Sequence, residues 1–319
     1  MSGDAHLIYL VVLQKEEQDI ARHSCFYCHF SFVSQFSVNT LRMRLFVASV
    51  VFVLLALSFP GIVSKLEKTL NKCDDFILNK MSPVIPGILK NSVTLKDRYK
   101  IICQKYKNKI RFATLYDTSN KIPVFSAYKY TGITKFKKPQ SPWMIESELE
   151  PTDAEMREPF IEQARNQDYL IKNPFNLIPG ALLNHAADRE TAESTLTLTN
   201  SVPVKPGFRE GLWNLVENKM KENMDINCTD HKNKIVAYVL TGAVPGNEKL
   251  NDRVNIPSHV WTAFCCKNQA QRWVSQTYWA ENKRYDNVNN IVLKSLEDLQ
   301  NFLNKKLNKT VTLFNNNCG

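Results

Sequence analysis

Histidine is scarce in this chain. It occurs six times in 319 residues, and beyond residue 64 only as His185, His231 and His259. Few imidazoles are therefore left for proton transfer. A hydrophobic run of spanning length is missing too. The longest, Leu45 to Phe59, has fifteen residues without a charge, short of the roughly 20 that a transmembrane helix needs. No second such run follows, so the chain beyond it is expected to be soluble. There is no internal repeat and no low-complexity tract, which excludes a solenoid. Acids are sparse where bases are dense: Pro86 to Lys138 holds thirteen Lys/Arg against Asp97 and Asp117 alone.

What is present describes a globular protein. Hydrophobic residues make up 44% and aromatics 10%, enough for a core in one large domain or two small ones. The net charge of +10 and a pI near 9.1 suit polyanions such as nucleic acid, acidic glycans or an anionic membrane face. Met43-Arg44 ahead of the fifteen-residue run, with Ser58 and Ser64 after it, has the pattern of a signal peptide. Three segments follow: an upstream piece, 1–42, read as an extended start; a signal peptide, 43–64; and one domain, 65–319. A secreted, extracellular protein is expected. The upstream Cys25-Phe-Tyr-Cys28-His29 matches the short haem-attachment pattern, but five residues outside the mature chain carry little weight.

Six cysteines remain beyond the signal: Cys73, Cys103, Cys228, Cys265, Cys266 and Cys318. An even number in an exported chain predicts disulfides, with the pairing open. Cys265 and Cys266 are adjacent, which disfavours a bond between them through strain. Asn227-Cys-Thr229 and Asn308-Lys-Thr310 are glycosylation sequons.

Pattern predicts short helices over Lys65–Lys80 and Leu95–Tyr106, and a hairpin of Ile110–Tyr116 with Ile122–Tyr130 around the turn at Asp117-Thr-Ser-Asn120. A helix is expected over Ala154–Leu170 and a strand over Leu196–Thr199. Glu210–Met224 reads as a helix whose buried stripe is Trp213, Val216, Met220 and Met224. Further strands are expected at Ile235–Thr241, ended by Gly242, and at Val260–Cys266 and Val274–Trp279. A leucine-striped helix should run over Val292–Leu307. Strands and helices without βαβ alternation argue α+β.

One ordered set of segments carries chemistry. Thr195-Leu-Thr-Leu-Thr-Asn200 is followed by Val202-Pro203 and by Phe208-Arg-Glu-Gly-Leu-Trp-Asn-Leu-Val-Glu217. Around them lie Arg111-Phe-Ala-Thr-Leu-Tyr-Asp117, Ile122-Pro-Val-Phe-Ser-Ala-Tyr128, Pro142-Trp-Met-Ile-Glu146, Asn166-Gln-Asp-Tyr169, Leu240-Thr-Gly-Ala-Val-Pro-Gly246, Arg253-Val-Asn-Ile-Pro257 and His259-Val-Trp-Thr-Ala-Phe-Cys-Cys266. From Cys73 to Asn282 this order resembles the DNA/RNA non-specific endonucleases, the ββα-metal or His-Me finger nucleases.

The resemblance implies an α+β fold with a central, mostly antiparallel sheet. It also implies a nucleic-acid substrate and a Mg²⁺ held by an asparagine. A histidine acts as general base on the attacking water, and a glutamate further along the helix supports the metal-bound water. The carry-over is uneven. Leu177-Ile-Pro179 matches the segment after the family histidine, which puts Asn176 in the histidine's place, and an amide cannot act as a base near neutral pH. Counting back four from Trp213 puts Arg209 at the metal asparagine, and a guanidinium repels Mg²⁺. Glu217 and Asn200 match the family pattern. His185, nine residues after Asn176, is the alternative base. His259 is read as structural. The expectation is therefore a nuclease-type protein, a pseudoenzyme with lost or impaired phosphodiesterase activity and weak or absent Mg²⁺ binding. It would retain polyanion binding through Lys137, Lys138 and Arg209. An active Mg²⁺-dependent endonuclease using His185, or a scaffold for a protein partner, are the alternatives.

Overall fold

The computed structural model describes residues 65–133, 142–150, 160–170, 178–181, 186–286, 288–315 and 317–318. Its strands are β1 (Lys65–Glu67), β2 (Leu89–Lys90), β3 (Val93–Thr94), β4 (Tyr99–Tyr106), β5 (Lys109–Asp117), β6 (Ile122–Tyr130), β7 (Ile178–Ala181), β8 (Ser201–Val204), β9 (Ala237–Val244), β10 (Glu248–Leu250), β11 (Val254–Ile256), β12 (His259–Lys267) and β13 (Trp273–Glu281). The α-helices are α1 (Asn166–Leu170), α2 (Arg189–Ser194), α3 (Asn214–Asn227) and α4 (Leu296–Leu307). A π-helical turn, Phe208–Trp213, leads into α3.

Seven strands form one sheet in the order β1-β4-β5-β6-β9-β12-β13, with every neighbour antiparallel. The expected α+β class and mostly antiparallel sheet are what the chain adopts. Alternation along the strands sends residues to opposite faces. On β12, Val260, Phe264 and Cys266 enter the layer beneath α3. Trp261, Ala263 and Cys265 enter the layer beneath α4. In the first layer α3 buries Val216, Met220 and Met224, with Trp213 ahead of them, which is the predicted stripe. In the second α4 buries Leu296, Leu299 and Leu303.

Three disulfides join Cys73–Cys103, Cys228–Cys266 and Cys265–Cys318. All six cysteines are paired, and the two adjacent ones take different partners.

Several elements differ from the sequence reading. Lys65–Lys80 is not a helix. It is the edge strand β1, paired Lys65 with Cys103, followed by three separate 3₁₀ turns. Pairing to β4 and the Cys73–Cys103 bond hold it against the sheet, and positive φ at Asn79 and Lys80 ends any helical run. Leu95–Tyr106 is likewise no helix, because β4 occupies most of it. Lys107 and Asn108 both have positive φ, so a two-residue hairpin turn returns the chain into β5. Long-range pairing overrides local helix preference in both places. Of Ala154–Leu170 the described part is helical only at α1; Phe160–Arg165 is irregular, and 151–159 lies outside the described residues.

Leu196–Thr199 makes a single bridge, Thr197 to Met144, and then a 3₁₀ turn, with the strand coming later at β8. β9 runs through Gly242 to Val244 instead of ending there. A Cβ on Gly242 would sit 2.4 Å from the Trp261 ring and 2.3 Å from the Val124 carbonyl. That glycine is a close-packing residue inside a strand. α4 starts at Leu296, where Ser295 and Asp298 form a capping box.

Candidate functional site

The site is built where α3 crosses the sheet. Gly207, at φ 75°, turns the chain out of β8 into the π turn, and the Asn214 N–H donates to the Arg209 carbonyl, five residues back. Such turns recur at functional positions in helices. Two contacts hold this one. The Phe208 ring stacks on Trp213 at 5.6 Å and tilts against Tyr285 at 6.1 Å. Gly211 lies so close to Tyr285 that a Cβ would approach the Tyr285 carbonyl to 2.7 Å.

Glu217 is buried, at 7% exposure. Tyr128 of β6 is its neighbour. Burial first, and then the Glu217 carboxylate, push the Tyr128 hydroxyl well above the ordinary tyrosine range. Arg209 is half-buried and makes no ion pair among the described residues. The site thus offers one guanidinium with no counter-ion among the described residues and one carboxylate withdrawn into the helix–sheet interface.

Below α3 the sheet presents a row of hydroxyls. Register aligns Thr114 with Ser126, Ser126 with Thr241, and Thr241 with Thr262 across β5, β6, β9 and β12. Thr114 and Ser126 are bonded at 2.9 Å, Thr241 and Thr262 at 3.0 Å. Asn200 closes the row. Its Oδ1 accepts from Ser126 at 2.8 Å and its Nδ2 donates to the Thr195 carbonyl at 3.1 Å. Asn200, which matches the family pattern in sequence, is fully buried and acts here as a structural link. Asn282 does similar work at the helix entry. It donates to the carbonyls of Pro203 and Pro257 and accepts from the Lys205 N–H. The role of Ser126, Thr241 and Thr262 depends on register between strands, which no local motif reveals.

β7 pairs with β8, Ile178 opposite Val204. Asn176 precedes β7 and His185 follows it; both lie outside the described residues, as do Lys137 and Lys138. The basic stretch that contains those lysines is partly neutralised by distant acids. Arg111 pairs with Glu190 and, at 3.4 Å, with Asp188. Lys107 reaches Glu190 and Glu193 at 3.6 and 3.7 Å. Arg98 is bound to Asp117. These residues form a structural ion-pair network and not the open phosphate track that their local charge count suggests.

The donor set does not fit the Mg²⁺ arrangement implied by the resemblance. The resemblance gives the ligand's position to Arg209, a permanent cation; Glu217 is one carboxylate, and no group of three or more His, Cys, Asp or Glu is positioned for a metal among the described residues. His259 also stands apart from Glu217's helix. Its ring packs against Phe302 of α4 at 5.1 Å, which agrees with a structural role.

The chain is 30% identical over 232 residues to endonuclease domain-containing 1 protein of Mus musculus, covering 68% of this chain and 43% of that one. To the same-named protein of Homo sapiens it is 27% identical over 281 residues, covering 84% and 52%. The chain thus spans about half the length of these relatives. A solved structure described as the EndoG/EndoGI complex and the mechanism of EndoG inhibition is similar with a TM-score of 0.46 at 17% identity, over 62% of this chain and 81% of the other. The sequence model of the DNA/RNA non-specific endonucleases matches residues 177–314, which include β7, β8, Arg209 and Glu217. Over this region the chain matches the DNA/RNA non-specific endonuclease family.

Proposed function

We propose that this chain is a secreted member of the family whose phosphodiesterase activity is lost or strongly impaired and which binds nucleic acid or another polyanion. The family is generally metal-dependent, and its substrate class is nucleic acid. The observation that carries the proposal is Arg209: a half-buried guanidinium without an ion pair among the described residues, at the entry of the helix that bears Glu217. A guanidinium presents donors in a planar fork suited to two phosphate oxygens. It therefore holds the ligand by charge and hydrogen bonds without activating water.

Asn176 removes the titrating group from the base position, and general-base catalysis is typically worth about 10²–10⁴-fold. Mg²⁺ binding is correspondingly weak or absent. Lys137 and Lys138 extend the contact along the backbone. Secretion, with translation from Met43, removal of 43–64 and a mature domain of 65–319, is supported by the three disulfides, which suit an oxidising compartment. No helix among the described residues is long and apolar enough to cross a membrane.

The test incubates the purified chain with plasmid DNA and with RNA in Mg²⁺, with and without chelator, beside Asn176→His, Arg209→Asn and the double variant. The wild type and both single variants should stay inert, and the double variant should recover chelator-sensitive cleavage. Robust chelator-sensitive cleavage by the wild type overturns the proposal. Loss of that cleavage in His185→Ala would then assign the base. Binding to a labelled oligonucleotide should weaken in Arg209→Ala and fall steeply with salt. Binding indifferent to salt would speak for a protein partner.

A further inference from the structure

On the sheet face opposite α3, the C-terminal half of α4 roofs a cavity of about 190 Å³. Its walls are mainly apolar: Ile85, Ile88, Trp261, Leu303, Val311 and Leu313. These six side chains belong to the α4 layer; Ile122 and Ala243 of the other layer also border the cavity, but none of Arg209, Trp213, Val216, Glu217 or Met220 lines it. Bare Gly242, opposite Trp261 in the ladder, lets the indole lie flat against the strand as one wall.

The cavity is not uniformly apolar. Arg98 and Asp117 line one part of it. The Arg98 Nε donates to Asp117 Oδ1 at 3.0 Å, and its Nη2 is bound to Oδ2. Asn120 Nδ2 donates to the same Oδ2 at 2.9 Å. Asp117 is therefore saturated and neutralised. The Arg98 Nη1 makes no hydrogen bond among the described residues, and 38% of the side chain is exposed. Lys309, also lining the cavity, is exposed and forms no ion pair among the described residues. Its Nζ lies against Gly87, where a Cβ would stand 3.2 Å from it. With Arg98 and Asp117 paired, Lys309 is the surplus cation among the described lining residues, and Arg98 Nη1 keeps a donor to spare. The charge at the polar end favours an anion.

We propose that this cavity binds a small anionic amphiphile, a carboxylate on a short apolar body, with the carboxylate between Arg98 and Lys309 and the body against Trp261 and Leu303. A cavity of roughly 150 Å³ lined by aliphatic residues admits benzene, so the space suits a single ring or a short acyl chain. The direction of charge, and not size alone, sets the class: an alcohol would forgo the charge-assisted contact with the two cations, and an amine would be repelled.

Titration calorimetry of the full mature chain with octanoate, octanol and octylamine tests this. Octanoate should bind saturably at one site, about tenfold more tightly than octanol, a ratio typical of one charge-assisted contact; octylamine should give no saturable heat. Lys309→Glu, at the exposed mouth, should weaken octanoate by a similar factor and leave octanol unchanged. Val311→Trp fills the cavity and should abolish both. Absence of one-site octanoate binding at low millimolar concentration overturns the proposal, as does equal affinity for octanoate and octylamine. If Val311→Trp does not fold, Lys309→Glu decides alone, and unchanged octanoate affinity in it refutes the assignment. DNA binding is expected to be unaffected by octanoate, so failure here leaves the reading of Arg209 intact.

Discussion

Cys265 and Cys266 are neighbours in the chain, yet their disulfides lie on opposite faces of the sheet. Cys266 reaches Cys228 at the end of α3, and Cys265 reaches Cys318 near the chain end beneath α4. Strand alternation is the cause: successive Cβ atoms on β12 point to opposite sides. One short segment therefore fastens both layers to the same strand.

Peptide mapping under non-reducing conditions should recover the links Cys73–Cys103, Cys228–Cys266 and Cys265–Cys318, with no bond between 265 and 266. Replacing Cys265 and Cys318 together by serine should destabilise the fold by about 2–5 kcal/mol, the usual cost of removing a native disulfide. The thermal midpoint of the double variant, compared with wild type, measures it. A midpoint within a degree of wild type would show that the Cys265–Cys318 bond contributes nothing.

Asn200→Ala should cost about 1–3 kcal/mol, because it strands the Ser126 donor and the Thr195 carbonyl in a dry interface. Asn200→Asp keeps the acceptor and loses the donor, and burial of its charge should make it no better. Chemical denaturation of the two variants checks the order. If either is as stable as wild type, Asn200 belongs to the ligand site and not to the scaffold.

His259 sets a pH dependence. Burial, and then the positive charge of Lys306, hold its imidazole below the ordinary value of 6.5; Glu281 opposes them and Lys283 adds to them. The group that faces its ring is Phe302, and Ser258 is its hydrogen-bond neighbour at 3.1 Å. A depressed histidine favours the neutral form in the folded state. Its stabilising contribution is present above the unfolded value near 6.5 and is lost as pH falls through the folded value. Thermal midpoints between pH 7.5 and 5 should fall more steeply for wild type than for His259→Gln. Parallel curves would refute this.

Glycan occupancy should differ between the two sequons. Asn308 is exposed, in the left-handed conformation that ends α4. Asn227 ends α3 with its amide donating to the Asn223 carbonyl at 3.0 Å, and the next residue is the disulfide-bonded Cys228. Protein from a secretory host should carry glycan at Asn308 and little at Asn227. Mass spectrometry of the two glycopeptides gives the answer, and equal occupancy would contradict it.

Local pattern determined a good deal of this protein. The β5–β6 hairpin, β12, β13, the helix after Arg209 and its Trp213, Val216, Met220, Met224 stripe all follow from periodicity, because each element's own side chains alternate or repeat as the burial requires. Order of motifs, rather than any single one, carried the family. The positions of Asn176, Arg209 and Glu217 within those motifs also come from the chain alone.

Tertiary structure decided the rest. β4 forms in place of a helix because β1 and β5 supply hydrogen-bond partners that local propensity does not count. Gly242 stays inside β9 because a distant indole needs its space. The basic stretch around Arg98 and Arg111 is drawn into ion pairs, some with acids as far along the chain as Glu193, the partner of Lys107. The hydroxyl row under α3, the partners of the adjacent cysteines and the cavity beneath α4 are likewise products of strand register and of packing between layers. Those relations join residues far apart in the chain, and physical contact between them arises only when the sheet closes.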